Sequence, residues 1–311
     1  MAVTRASIIR GPGKVTWNGV NFWSKDDIQP KPMGTYNGIE CSAYDISDET
    51  LDDARVEVDL SPFGLWQNLA VLYPAWLLNP VKGMRLFGDT DLPLTVWGTQ
   101  DSQLLAVANN QLMTPPPLAL GPTADLYGAA KFVGLVPNGV DLGASATPIY
   151  SVQAGQADPG GNFAMTNYSR QRWGASWGTI SGFAAFQAEE KWDISFEVSW
   201  KPVLCQKLTV DYALEKVRVM AKCKPVGPTA IQIAAAMHLN DKAQGSRLAD
   251  TSANCPDLVL TAGAKSVTVK SAALKTGGYR FGALVLRNDE VGFMATSAPT
   301  AGVMNALFAI A

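Results

Sequence analysis

One stretch of this 311-residue chain reads as a variant of another. The segment Arg55-Val56-Glu57-Val58-Asp59-Leu60-Ser61-Pro62-Phe63-Gly64 is answered, 163 residues on, by Arg218-Val219-Met220-Ala221-Lys222-Cys223-Lys224-Pro225-Val226-Gly227. At that same offset Thr16 meets Thr179, Gly19 meets Gly182, Trp23 meets Phe186, and Asp26-Asp27 meet Glu189-Glu190. Farther along, Asp91-Leu92-Pro93-Leu94-Thr95 answers Asp257-Leu258-Val259-Leu260-Thr261 at an offset of 166. Blocks in one order at nearly one spacing point to an internal duplication, the alternative being shared β-sheet composition. Duplication restricts the fold to two copies of whatever one copy builds. The expected layout is a first domain over 1–155, a linker over 156–172 and a second domain over 173–311. The linker begins in a stretch rich in Gly, Pro and small polar residues and contains the turn signal Pro159-Gly160.

Each copy reads as mainly strand. Lys14–Phe22 carries the hairpin dipeptide Asn18-Gly19. In Ala54–Leu60, Val56, Val58 and Leu60 share one face and the charged residues the other. Trp192–Trp200 alternates in the same way, and Lys265–Ser271 and Tyr279–Arg287 are further strand candidates. Leu65, Trp66, Leu69 and Leu72 recur at helical spacing, and after Pro228 the run Ile231–Met237 reads as the matching helix. The expected fold class is mainly β: two tandem β-sandwich or barrel domains, each with one short flanking α-helix.

Residue usage argues against an enzyme. With 25 basic and 27 acidic side chains the net charge is −2, which does not suit tight phosphate neutralisation. His238 is the single histidine, and its place at the end of the second predicted helix suits a favourable charge–dipole contact better than catalysis. Cys41, Cys205, Cys223 and Cys255 show no metal-ligand spacing and read as free thiols. The acidic run Asp45, Asp48, Glu49, Asp52 and Asp53 lacks the glycine of a calcium loop and reads as a solvated loop, as does Gly88-Asp89-Thr90-Asp91. The sequence holds no nucleophile elbow, phosphate loop or zinc-helix motif. Catalytic residues, cofactors and metals are therefore all expected to be none. The N-terminus breaks its apolar stretch at Arg10-Gly11, unlike a signal peptide, and Leu65–Val81 is interrupted and too short to span a bilayer, so a protein made in the cytoplasm and independent of membranes is expected.

Two further features bear on partners. Trp17, Trp23, Trp177, Trp192 and Trp200 lie in alternating segments, which favours core or subunit contacts over a sugar-stacking platform. Pro115, Pro116 and Pro117 hold an extended arm that cannot join a central strand, suited to contact with a neighbouring chain or to a stiff connection.

Arg10-Gly11-Pro12, Lys14-Val15-Thr16-Trp17-Asn18-Gly19 and Phe22-Trp23-Ser24-Lys25-Asp26-Asp27 resemble the opening of the major tail tube proteins of long-tailed, siphovirus-like bacteriophages. Asn110–Pro115, Leu126–Leu135 and Cys223–Pro228 are similar to later parts of those proteins. The resemblance implies a virion structural protein: a β-sandwich with a flanking helix, six domains closing a ring around one continuous inner barrel, and rings stacked into a conduit for genome ejection. It also implies a tape measure protein, a tail terminator and transiently passing DNA as partners. Combined with the duplication, it predicts homotrimeric rings of pseudo-sixfold symmetry, with hexameric rings as the alternative. Asp26, Asp27, Glu189 and Glu190 are candidate repeat-equivalent acids facing the lumen or a ring contact. Rival readings are a capsid decoration or baseplate component, and a two-domain carbohydrate-binding protein.

Overall fold

Asn18 and Gly19 both take positive φ, 47° and 71°, the backbone that a two-residue hairpin turn demands and that these residues tolerate best. They join β1 (Gly13–Trp17) to β2 (Val20–Ser24). The computed structural model describes residues 13–41, 44–63, 70–87, 92–98, 102–122, 124, 126–137, 148–158, 160, 173–174, 177–227, 232, 256–277, 279–281, 286–288, 290–296 and 306–311.

The chain continues through a long antiparallel pair, β3 (Gln29–Cys41) and β4 (Tyr44–Leu60), then β5 (Pro62–Phe63) and a short helix α1 (Ala75–Leu78). Next come β6 (Leu94–Gly98), β7 (Gln103–Val107), β8 (Asn109–Thr114), β9 (Leu118–Leu120), β10 (Ala130–Leu135) and β11 (Tyr150–Gln153). The second half opens with β12 (Trp177–Ile180) and the longest pair, β13 (Phe186–Cys205) and β14 (Leu208–Val226). It closes with β15 (Leu258–Ala262), β16 (Lys265–Val269), β17 (Ala272–Thr276), β18 (Tyr279–Phe281), β19 (Leu286–Asn288), β20 (Val291–Ala295) and β21 (Phe308–Ile310). The fold is mainly β, in antiparallel sheets of sandwich-like character.

First-half strands make a six-stranded sheet, β11-β7-β6-β1-β2-β5, and a four-stranded one, β3-β4-β10-β8. Eight second-half strands, β17-β20-β14-β13-β12-β15-β16-β21, and β9 of the first half, added at β13, make a nine-stranded sheet. Strands β18 and β19 pair with each other.

The two halves run the same ladders. Val15 faces Val96 as Gly178 faces Leu260, and Leu94 faces Val107 as Leu258 faces Val269. Tyr150 faces Val107 as Phe308 faces Val269, and Phe132 faces Val58 as Phe293 faces Ala221. Even the irregularities recur. Asp52 bulges from β4 where Glu215 bulges from β14, and Met113 bulges from β8 where Lys275 bulges from β17. Bulges are specific features of a strand pair, so their recurrence at matched positions is far more demanding than a shared strand order. The halves differ at one seam. β2 ends at Ser24 before β3 begins, whereas β13 runs through the matching bend without a break; thus two sheets in the first half correspond to one in the second.

Alternation places the core. Val56, Val58 and Leu60 are buried against Val15, Trp17, Phe22 and Phe132, with Trp17 edge-on to Phe132 at 5.1 Å between centroids. In the second half Trp192, Ile194, Val219, Ala221, Leu260 and Phe293 fill the corresponding layer. Volume is traded between matched sites: a Cβ on Gly178, where the first half has Val15, would lie 2.7 Å from the Trp192 ring. The large Trp192 indole thus replaces both a valine side chain and the smaller Ile28.

Four expectations need correction. The match of Asp91 to Asp257 is out of step, because the ladders pair Leu94 with Leu258. Tyr279–Arg287 is not one strand but the two arms of the β18–β19 pair, since the chain reverses within it. The acidic run 45–53 lies on β4, not in a loop. Ala70–Leu72 is a 3-10 turn with α1 following it, while residues 65–69 of the predicted first helix lie outside the described residues. Of the predicted second helix only Gln232 is described, and it is helical.

Candidate functional site

The joint between the halves is built from main chain. Pro115 and Pro116 are buried and Pro117 is exposed; they carry β8 into β9 without offering a hydrogen-bond donor. β9 then pairs with β13 through Leu118–Ile194, Ala119–Asp193 and Leu120–Trp192. The proline arm therefore reaches the second half of its own chain. Gly121 permits the approach, because a Cβ there would sit 2.5 Å from the Glu190 carbonyl oxygen. Trp200 donates its indole N–H to the Met113 carbonyl at 2.8 Å and meets Trp76 of α1 edge-on at 5.0 Å.

A second contact runs beside β14. Gly83 N–H donates to Leu214 O, Leu214 N–H to Met84 O and Leu86 N–H to Tyr212 O. Asp211, 2% exposed, anchors this strip: it accepts from Arg85 Nε at 2.5 Å and from Phe87 N–H at 2.9 Å. At the hairpin tip Thr209 gives its N–H and hydroxyl to Asp53, at 2.9 and 3.0 Å, and Lys207 pairs with Asp52 at 2.9 Å. Asp53 reads in the sequence as one acid of a solvated loop, yet it is buried, 7% exposed, and Asp211 carries no sequence mark. Asp53 falls in the charged phase with Arg55, Glu57 and Asp59, and Asp211 stands between Val210 and Tyr212, so alternation gave no sign that either is buried; desolvation is what demands the partners they have.

The acidic pairs fall on one kind of bend. Asp26 and Asp27 lie between β2 and β3; Glu189 and Glu190 lie where the β13–β14 register shifts, between Ala188 and Trp192. Matching Ser24–Pro62 with Ala188–Pro225 sets Asp26 against Glu190 and Lys25 against Glu189, one residue from the spacing read in sequence. The turn after β12 is the longer by one residue, which accounts for the slip. Glu189 pairs with Lys224. In the second half this bend is covered by Gly121. In the first half Asp26, Asp27, Ile28, Gln29 and Pro30 line an open groove of about 780 Å³.

Charges along the hairpins are largely paired. Asp59 accepts from Lys31 and raises its pKa, and Lys216 with Arg218 lowers that of Glu197. Burial pushes the Cys223 thiol well up, which makes it inert, while Cys205 is exposed. His238, Cys255 and Gly88–Asp91 lie outside the described residues, as does the side chain of Cys41. Among the described residues no group of three or more His, Cys, Asp or Glu is placed to hold a metal, and no helix is long and apolar enough to cross a membrane. The arrangement offers strand edges and apolar faces for docking. Compared with known proteins, the chain matches no family model and no curated protein.

Proposed function

We propose that this chain is a structural virion protein of the tail tube type, whose rings stack into a hollow conduit for a phage genome. One observation carries the reading: the chain contains two register-matched β units joined head to tail by strand addition, β9 of the first onto β13 of the second. A head-to-tail joint between equivalent units is heterologous, so it can be repeated around an axis until the ring closes. The resemblance of Lys14–Gly19 and Phe22–Asp27 to tail tube proteins supports the same assembly. In this reading the two units are tube domains over 1–155 and 173–311, and three chains supply the six domains of a ring.

The composition is consistent with that role. Closed rings leave no sheet edge to recruit stray chains. A wall near neutrality gives passing DNA few cations to hold, and the net charge is −2. A tape measure protein inside the tube and a terminator at its end would be the other contacts. Electron microscopy of the purified protein tests the proposal: hollow tubes of stacked rings are expected. Monodisperse particles under all assembly conditions would reject it in favour of a capsid decoration or glycan-binding role.

A further inference from the structure

The ladder that joins the halves has a counterpart with no acceptor among the described residues. The stretch from β9 to its bridge partner Tyr127 matches the β18–β19 pair, because Leu118 bridges Tyr127 as Tyr279 pairs with Asn288. β9 lies on the edge of β13 at Trp192–Ile194, whereas β18 pairs only with β19 among the described residues. The first-half equivalent of Trp192–Ile194 is Ile28–Pro30, since Gln29 faces Asp59 as Asp193 faces Lys222. That stretch lines the open groove and ends its sheet, with β4 on one side and no strand on the other among the described residues.

An independent observation marks the same side. Tyr36 and Leu51 stand opposite each other just past the β3–β4 bulge, 59% and 44% exposed. Their matches past the β13–β14 bulge are Trp200, packed on Trp76, and Leu214, 2% exposed beneath the strip at Gly83–Leu86. The first half thus exposes apolar groups at the very positions that, in the second half, the first half covers. Exposed apolar side chains at a matched site that is elsewhere buried mark a surface awaiting a partner of the same shape.

We infer that the occupant is a second copy of this chain: β18 of one molecule adds to the edge of β3 in the next, Phe281 opposite Ile28, Arg280 opposite Gln29 and Tyr279 opposite Pro30. The inference rests on the proposed self-assembly and names the contact that makes it. Second halves then cap the Tyr36–Leu51 face as first halves cap Trp200 and Leu214. Pro30 stands where β13 has Ile194 and has no N–H to give, so the joint between chains has at most the hydrogen bonds of the internal one less one. That makes it the weaker link and the one at which rings would open.

Cross-linking tests this directly. In the full chain, with every native cysteine except buried Cys223 changed to Ser, Gln29→Cys is combined with Arg280→Cys. Directly opposed ladder residues place Cβ atoms about 4.5–5.5 Å apart, near the span of a disulfide. Oxidation is expected to give covalent dimers and then a closed trimer, whereas either single variant stays monomeric on a non-reducing gel. The pair Ala119→Cys with Asp193→Cys should close within one chain and change no mass. Leu51→Asp should abolish oligomers while the monomer keeps its circular dichroism spectrum. Tubes whose chains form no disulfide between the two introduced thiols would overturn this contact and leave the tube proposal standing. Covalent trimers that never stack into tubes would support the contact and reject the tube. Equal cross-linking of single and double variants would overturn the contact.

Discussion

Asp211→Ala would remove the anchor of the strip that joins the halves. Arg85 is more than half exposed, so its ion pair with Asp211 contributes about 0–1 kcal/mol. Phe87 N–H is the larger stake: the residue is 1% exposed, and a buried donor left without an acceptor costs about 1–3 kcal/mol. The sum is a loss of about 1–4 kcal/mol. Asp211→Asn keeps a carbonyl oxygen for Phe87 and gives up the ion pair with Arg85, because its NH2 stands where Oδ2 accepted, so it should lose about 1 kcal/mol or less. Urea unfolding followed by tryptophan fluorescence measures both, read as shifts of the midpoint at unchanged slope. Equal losses in the two variants would refute the assignment of the energy to the Phe87 hydrogen bond. A loss below about 0.5 kcal/mol for Asp211→Ala, the range of ordinary surface changes, would refute the anchor itself.

Gly134→Ala would place a Cβ 2.3 Å from Val107 Cγ1 in a fully buried layer; overpacking of about 1–3 kcal/mol is expected from thermal unfolding, and an unchanged midpoint would show the layer to be loose. Burial raises the pKa of Tyr73, Tyr127 and Tyr212 above the ordinary value of 10.0. Their contribution to stability is fully present below that value and lost as pH rises beyond it, so the melting temperature should fall above pH 10 together with cooperative tyrosinate absorbance. Tyrosines that titrate at 10.0 in the folded protein would contradict their burial. Asp158 is shifted the opposite way, down from 3.8, by its hydrogen bond from Lys14. That pair stabilises above about pH 4 and is lost in more acidic solution, and Asp158→Asn should flatten this part of the pH profile. A maleimide should label Cys205 readily and leave Cys223 untouched until unfolding, as peptide mass mapping would show.

Legibility varied with local chemistry. Asn18-Gly19 announced its turn because few other residues accept two positive φ values in succession. Val56, Val58 and Leu60 announced their strand by strict alternation between a buried and a charged face. β3 was invisible: Pro30, Pro32, Gly34 and Gly38 erase the pattern, and the segment is extended only because β4 pairs along its length. The correspondence between the ladders of the two halves was legible where core residues were retained, as at Val56 and Val219, but blurred where volume was traded, as between Val15–Ile28 and Gly178–Trp192. Single-residue length differences in turns shifted the acidic pairs by one position, which no gapless comparison could show. The prolines at 115–117 connect β8 to β9, yet the sequence carried no mark of which chain the strand after them would join.

End-on views of assembled tubes, averaged by electron cryomicroscopy together with the mass per ring, test the central claim most directly. Three chains per ring, each contributing two similar lobes in alternation, are the predicted result. Six chains per ring, with one lobe of each chain held away from the inner wall, would contradict the account.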